Sequence, residues 1–211
     1  MDVVTPKENI FKRIREALVS VPMGVIPMVD LESHVYPEIK DDEVVVFAEN
    51  FAAKGGRLVY CEDAAAAVRS LHELTEKCQW DGAVYCADED VQVLLDAADI
   101  EYACKPIDAV LRKVGFCACQ SLIAGEGSLV FDKRCQGGRI FAAADVLVFV
   151  AMAYQVVADI HLALQKIRQS DHSSEISIWT GLSRFVDVDG NTLEGLGPKE
   201  VYLILIDNIL G

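Results

Sequence analysis

Two segments of the chain hold residues whose types and spacing suit chemistry. The first is Ile123-Ala124-Gly125-Glu126-Gly127-Ser128-Leu129-Val130. Glycines let the main chain approach a ligand closely, and amides exposed in this way can hold a phosphate or a developing oxyanion. Glu126 is the only acid in this turn. Beside backbone donors such a carboxylate can serve as nucleophile or general base. The alternative is a solvated acid on a plain tight turn, since two glycines one residue apart do not make a nucleotide fingerprint. The second segment is Trp179-Thr180-Gly181-Leu182-Ser183-Arg184-Phe185-Val186-Asp187-Val188. A guanidinium is suited to two-pronged capture of a carboxylate or phosphate. Asp187 either holds Arg184 in place for a ligand or closes a structural ion pair with it. Both segments border apolar runs, and α/β proteins build ligand sites where strands end. Gly125, Gly127, Ser128, Ser183, Arg184 and Asp187 are therefore expected to meet at one pocket for a small anion, with Glu126 as the candidate catalytic carboxylate.

The elements that must position these residues alternate in type. Thr5, Pro6 and Glu8 have the order of a helix start, and Ile10, Phe11, Ile14, Ala17 and Leu18 then recur at helical spacing. An extended connection follows to residue 40. Residues 44–53 read as a helix ended by Gly55-Gly56, and 57–61 as a strand. Asp63 caps a helix to Glu76, 82–86 is a second strand, 89–97 a short helix, and 100–104 a third, shorter strand. Residues 132–139 read as a polar turn between hairpin strands. Residues 146–150 read as a central strand and 154–168 as one long amphipathic helix. Strands at 176–179 and 201–206 complete the pattern. The rhythm predicts a Rossmann-like α/β fold, a mostly parallel sheet with helices on both faces plus an N-terminal helix. The expected division is 1–40 for the N-terminal helix and connection and 41–211 for a single α/β domain.

The totals exclude several functions. The 211 residues are 52% hydrophobic with a mean hydropathy of +0.26, which argues against disorder. A net charge of −14 repels phosphate backbones, so no nucleic-acid partner is expected. The longest apolar run, 146–154, is far short of the roughly 20 residues of a membrane span. The N-terminus has neither a basic start nor an apolar run, so a cytoplasmic protein is expected. Seven cysteines without an export signal imply reduced thiols. Cys117-Ala118-Cys119 is the only close pair, and no second pair completes a zinc or iron–sulfur site. No metal and no cofactor are expected.

Taken together the segments resemble the LUD-domain family, which includes lactate-utilisation protein C. The resemblance runs through Glu8 to Leu18, Ile123-Ala124, Gly127-Ser128-Leu129, Gly181-x-Ser183-Arg184-x-x-Asp187 and Gly197-Pro198 before the last apolar strand. It implies a fold similar to the ribose-phosphate isomerase, glucosamine-phosphate deaminase and CoA-transferase group. It implies a role in oxidising lactate or a related organic acid, beside iron–sulfur oxidoreductase subunits, with a small anionic metabolite bound. An enzyme of the CoA-transferase or sugar-phosphate isomerase type using Glu126, and a non-catalytic scaffold subunit, are the alternatives. The chain departs from the family pattern at five positions. Gly125 stands for Glu, Glu126 for Thr, Leu182 for Pro and Phe185 for Thr. Leu196 stands where a His is usual, which removes an obvious proton-transfer group.

Overall fold

A computed structural model of the chain describes residues 6–19, 36, 38–80, 82–105, 113–132, 144–169, 176–182, 184–186, 192–194 and 197–208. The chain divides into two compact units, Met1–Val35 and Tyr36–Gly211. Within the first, helix α1 spans Pro6–Val19. Its Ile10 and Phe11 are exposed. The expected cap at Thr5 lies outside the described residues.

The second unit is built on uninterrupted apolar strands. β1 (Gly56–Asp63), β2 (Val84–Cys86), β3 (Val114–Ala118), β6 (Val146–Met152) and β11 (Glu200–Asn208) form one sheet in the order β1-β11-β6-β3-β2. Every neighbouring pair in it is parallel. Residues 201–206 of β11 are buried throughout, as a strand covered on both faces requires. One face is covered by α3 (Ala64–Cys78) and α4 (Glu89–Ala97), whose Leu71 and Leu95 join Phe116, Val148, Ile204 and Ile206. The other face receives Phe47 and Phe51 from α2 (Glu43–Ala53) against Phe149, Leu203 and Leu205.

A second sheet shares that face. Its strands are β7 (Val156–Val157), β4 (Ser121–Ile123), β5 (Ser128–Asp132) and β8 (Ile176–Trp179), in that order. β4 and β5 are an antiparallel hairpin, and β8 runs antiparallel to β5. Alternation sends Leu122, Leu129 and Phe131 to the large core and Ile123 and Val130 to the outer side. There α5 (Ile160–Arg168) covers them with Ala163 and Ile167. β9 (Arg184–Val186) and β10 (Thr192–Glu194) form a separate antiparallel pair.

The helix starts share one device. Asp42, Asp63, Asp88 and Asp159 each precede a helix and accept hydrogen bonds from its first free amides. Such a cap contributes about 1 kcal/mol and places negative charge at the positive end of the helix.

The fold class matches the expectation, and three local readings are corrected. Residues 176–179 form a strand, but in the antiparallel second sheet rather than the parallel one. Residues 154–168 are not one helix. A 3-10 turn over Ala153–Gln155 and strand β7 occupy its first part, and α5 starts only after the Asp159 cap. Residues 100–104 contribute a single parallel bridge, Tyr85 to Ala103, instead of a strand. The hairpin turn expected over 132–139 lies outside the described residues from 133 on; Asp132 itself ends β5.

At the amino end of the parallel sheet Arg57, Glu200 and Tyr202 interlock. The Arg57 guanidinium lies 2.7 Å from Glu200 Oε2, donates to the Tyr202 hydroxyl and sits 5.2 Å from the centre of the tyrosine ring. Tyr202 donates to Glu200 at 2.7 Å. Burial first, and then the hydrogen bond to Glu200, push the Tyr202 phenol up to about 12. A group whose folded pKa is raised stabilises the fold fully below its unfolded value and less as pH rises toward the folded one. Stability is therefore expected to fall between about pH 10 and 12, and Tyr202→Phe to flatten that fall in pH-dependent urea melts. Leu203→Ala, in the centre of the buried strand, is expected to cost roughly 2–5 kcal/mol by urea denaturation, and Ile178→Ala, at 41% exposure, far less.

Candidate functional site

The glycine turn closes the β4–β5 hairpin and lies against helix α2. Gly127 has φ +62, a left-handed conformation that suits glycine. A Cβ there would lie 2.4 Å from Asn50 C and Phe51 N, inside the backbone of α2. The missing side chain is thus filled by protein. Asn50 Nδ2 completes the contact by donating to Ala124 O at 2.9 Å and Gly125 O at 3.4 Å. Gly125 N donates to Ala158 O at 3.0 Å, which ties the same turn to the segment after β7.

With the backbone engaged in this way, side chains supply the free polar atoms. Ser128 is fully buried, and its Oγ donates to Thr180 Oγ1 at 2.9 Å. Ser128 Oγ also lies 3.4 Å from Glu126 Oε2, so its single proton serves one of the two at a time. Glu126 is half-buried and Thr180 exposed. Past Thr180, Gly181 has φ +133 and Leu182 N donates to Lys54 O at 3.3 Å, at the C-terminal end of α2. The Arg184 backbone then opens β9, paired with Glu194. Ser183, Asp187 and Leu196 lie outside the described residues, as does the Arg184 side chain. The structure thus joins Gly125, Glu126, Gly127 and Ser128 to Thr180, three residues before Ser183.

A crevice of about 420 Å³ opens elsewhere, beyond the carboxyl ends of β3 and β6. Buried polar groups shape its walls. The Asp88 carboxylate, 5% exposed, caps α4 through Asp90 N and Val91 N and reaches across to Ala118 N at 3.2 Å. Gln155 accepts from Met152 N at 2.6 Å and donates to Cys119 O at 2.7 Å. Burial, and secondarily the Asp88 charge, push the Cys119 thiol up, so it stays protonated. Among the described residues no group of three His, Cys, Asp or Glu side chains can hold a metal ion, and no helix is long and apolar enough to cross a membrane.

Reading from sequence missed Asn50, Thr180, Asp88 and Gln155. Asn50 had a signal: it is the only uncharged polar side chain in α2. Asp88 stands where a helix cap would. Thr180 follows directly on a strand, but nothing local marks Gln155.

The LUD domain model matches residues 107–206, which span both the glycine turn and the segment after β8. A solved structure of a DUF162 family protein from Deinococcus radiodurans superposes with a TM-score of 0.56 at 14% identity. The match covers 81% of this chain and 99% of that one, a likeness of fold. No curated protein matches the chain. Residues 107–206 are thus similar to a LUD domain, and the chain has the α/β architecture described above.

Gly127→Ala is expected to cost roughly 2–4 kcal/mol, from overpacking against α2 and a left-handed φ together. Gly125→Ala should cost less, because its Cβ would meet one carbonyl oxygen at 3.2 Å. Urea melts of the two variants check the order.

Proposed function

We propose that this chain is a LUD-domain protein that serves an organic-acid utilisation system of the lactate type and binds a small anionic metabolite. The observation that carries the reading is the 2.9 Å contact between Ser128 and Thr180, which brings the glycine turn to the start of the segment holding Ser183, Arg184 and Asp187. On this reading Gly125 and Gly127 set the turn against its neighbours, and Ser128 and Thr180 offer hydroxyls. Arg184 supplies the fixed positive charge in a chain of net charge −14. Ser183 adds a further donor, and Asp187 orients the guanidinium. The Glu126 carboxylate, 3.4 Å from Ser128 Oγ, is on this reading the group that exchanges a proton with a bound acid. The family match supports the metabolic setting and, with it, iron–sulfur oxidoreductase subunits as partners in the cytoplasm.

A thermal-shift panel of lactate, other 2-hydroxy and keto acids, sugar phosphates and CoA should single out a small carboxylate. Arg184→Ala is then expected to weaken its binding by about one to two decades, the range for a hydrogen bond to a charged group. Arg184→Lys should recover only part, because an ammonium lacks the planar fork. Unchanged affinity in Arg184→Ala would assign that guanidinium to a structural pair with Asp187 and end the reading. Acyl-CoA consumption that is lost in Glu126→Gln would instead favour a transferase.

A further inference from the structure

The crevice beyond the carboxyl ends of β3 and β6 is unassigned by the function above. It occupies the position where open parallel sheets carry ligands. The first turns of α4, the exits of β3 and β6, and the 3-10 turn at 153–155 form its walls. Those walls are braced by hydrogen bonds. Asp88 spends its carboxylate on Asp90 N, Val91 N and Ala118 N, and Gln155 spends its amide on Met152 N and Cys119 O. Three polar side chains on the lining remain uncommitted: the Asp90 carboxylate, the Gln120 carboxamide and the Tyr154 hydroxyl make no hydrogen bond among the described residues. Tyr154 is 70% exposed, a large aromatic surface left at the mouth of a cavity. Val91, Leu94 and Met152 add apolar side chains to the same lining.

The charge of this lining chooses the ligand. Among the described residues no Lys, Arg or His lines the crevice. The Lys166 ammonium donates to the Tyr154 carbonyl at 3.4 Å, and its side chain lines another surface with Glu43 and Gln169. The N-terminus of α4, which might otherwise attract an anion, already carries Asp88, Glu89 and Asp90. A carboxylate or phosphate placed here would meet the Asp90 charge with no cation among the described lining residues to offset it. An ammonium would meet the Asp90 carboxylate, the Gln120 carbonyl oxygen and the face of Tyr154. We propose that the crevice is a second ligand site, separate from the glycine turn, that binds a small organic amine. The ammonium sits at Asp90, and a short aliphatic stem lies along Val91, Leu94 and Met152.

A matched series isolates the charge: n-butylamine, n-butanol and n-butanoate share one stem. Each is titrated into the full-length protein at physiological ionic strength. The readouts are the side-chain amide signals of Gln120 and Gln155 and the backbone signals of 118–120 and 152–155. Butylamine is expected to shift them saturably, butanol more weakly and butanoate not at all. Asp90→Asn, a change on an exposed side chain that keeps the fold, should weaken butylamine roughly tenfold and leave butanol unaltered. Ala118→Leu, which narrows the crevice, should weaken both. Equal shifts from butanoate would overturn the assignment. So would butylamine shifts spread over the acidic surface and indifferent to Asp90→Asn, or no saturable shift at these residues with any of the three. None of these outcomes depends on whether an anion binds near Arg184.

Discussion

Helix α2 is the part against which the other pieces are set, and its last turn and a half leaves no room for error. The α2 backbone at Asn50 and Phe51 occupies the space a side chain at Gly127 would need, and the Phe51 ring occupies the space of one at Gly56. Asn50 holds the carbonyls of the hairpin turn, Phe51 meets Trp179 edge-on at 5.6 Å, and the Lys54 carbonyl receives the amide of Leu182. Three successive portions of one helix therefore grip the turn, the strand and the segment that follows it. Interiors packed to crystal density do not deform smoothly, so this grip sets where Glu126, Ser128 and Thr180 stand. A polar set held by packed secondary structure keeps its geometry better than one carried on free loops.

The molecule separates two kinds of electrostatics. Four helix starts are closed by aspartates, which leaves no bare positive helix end among them for an anion. Fixed positive charge near the second sheet must come from side chains, and Arg184 is the one in the segment after β8. The carboxyl-end crevice has the opposite character, with Asp90 and, among the described residues, no cation on its lining. A protein of net charge −14 can bind an acid at one place and a base at another only if it concentrates its few cations where they are needed.

Much of the architecture was legible because the parallel strands are long apolar runs bounded by helices with clear caps. Residues 201–206 and the Asp63 cap are examples. The second sheet was not legible. β4 has three residues and β7 two, too few for a period of two to show. β7 reads as part of a helix because Val157, Ile160, Ala163, Leu164 and Ile167 also fall at helical spacing. The contrary signal was Asp159, a cap in the middle of the supposed helix. At the site the residue types of the turn were visible in the sequence, but not what fills the space beside its glycines. Gly127 reads as a possible ligand cradle until α2 is seen against it, a contact spanning 76 residues of chain that no local pattern reveals.

The most direct test of the account is a lactate titration followed by amide signals across the whole chain. Binding at the proposed anion site predicts saturable shifts at 126–128 and 180–184, with Gln120 and Gln155 unmoved. Shifts confined to the carboxyl-end crevice, with 126–128 and 180–184 silent at saturation, would contradict it.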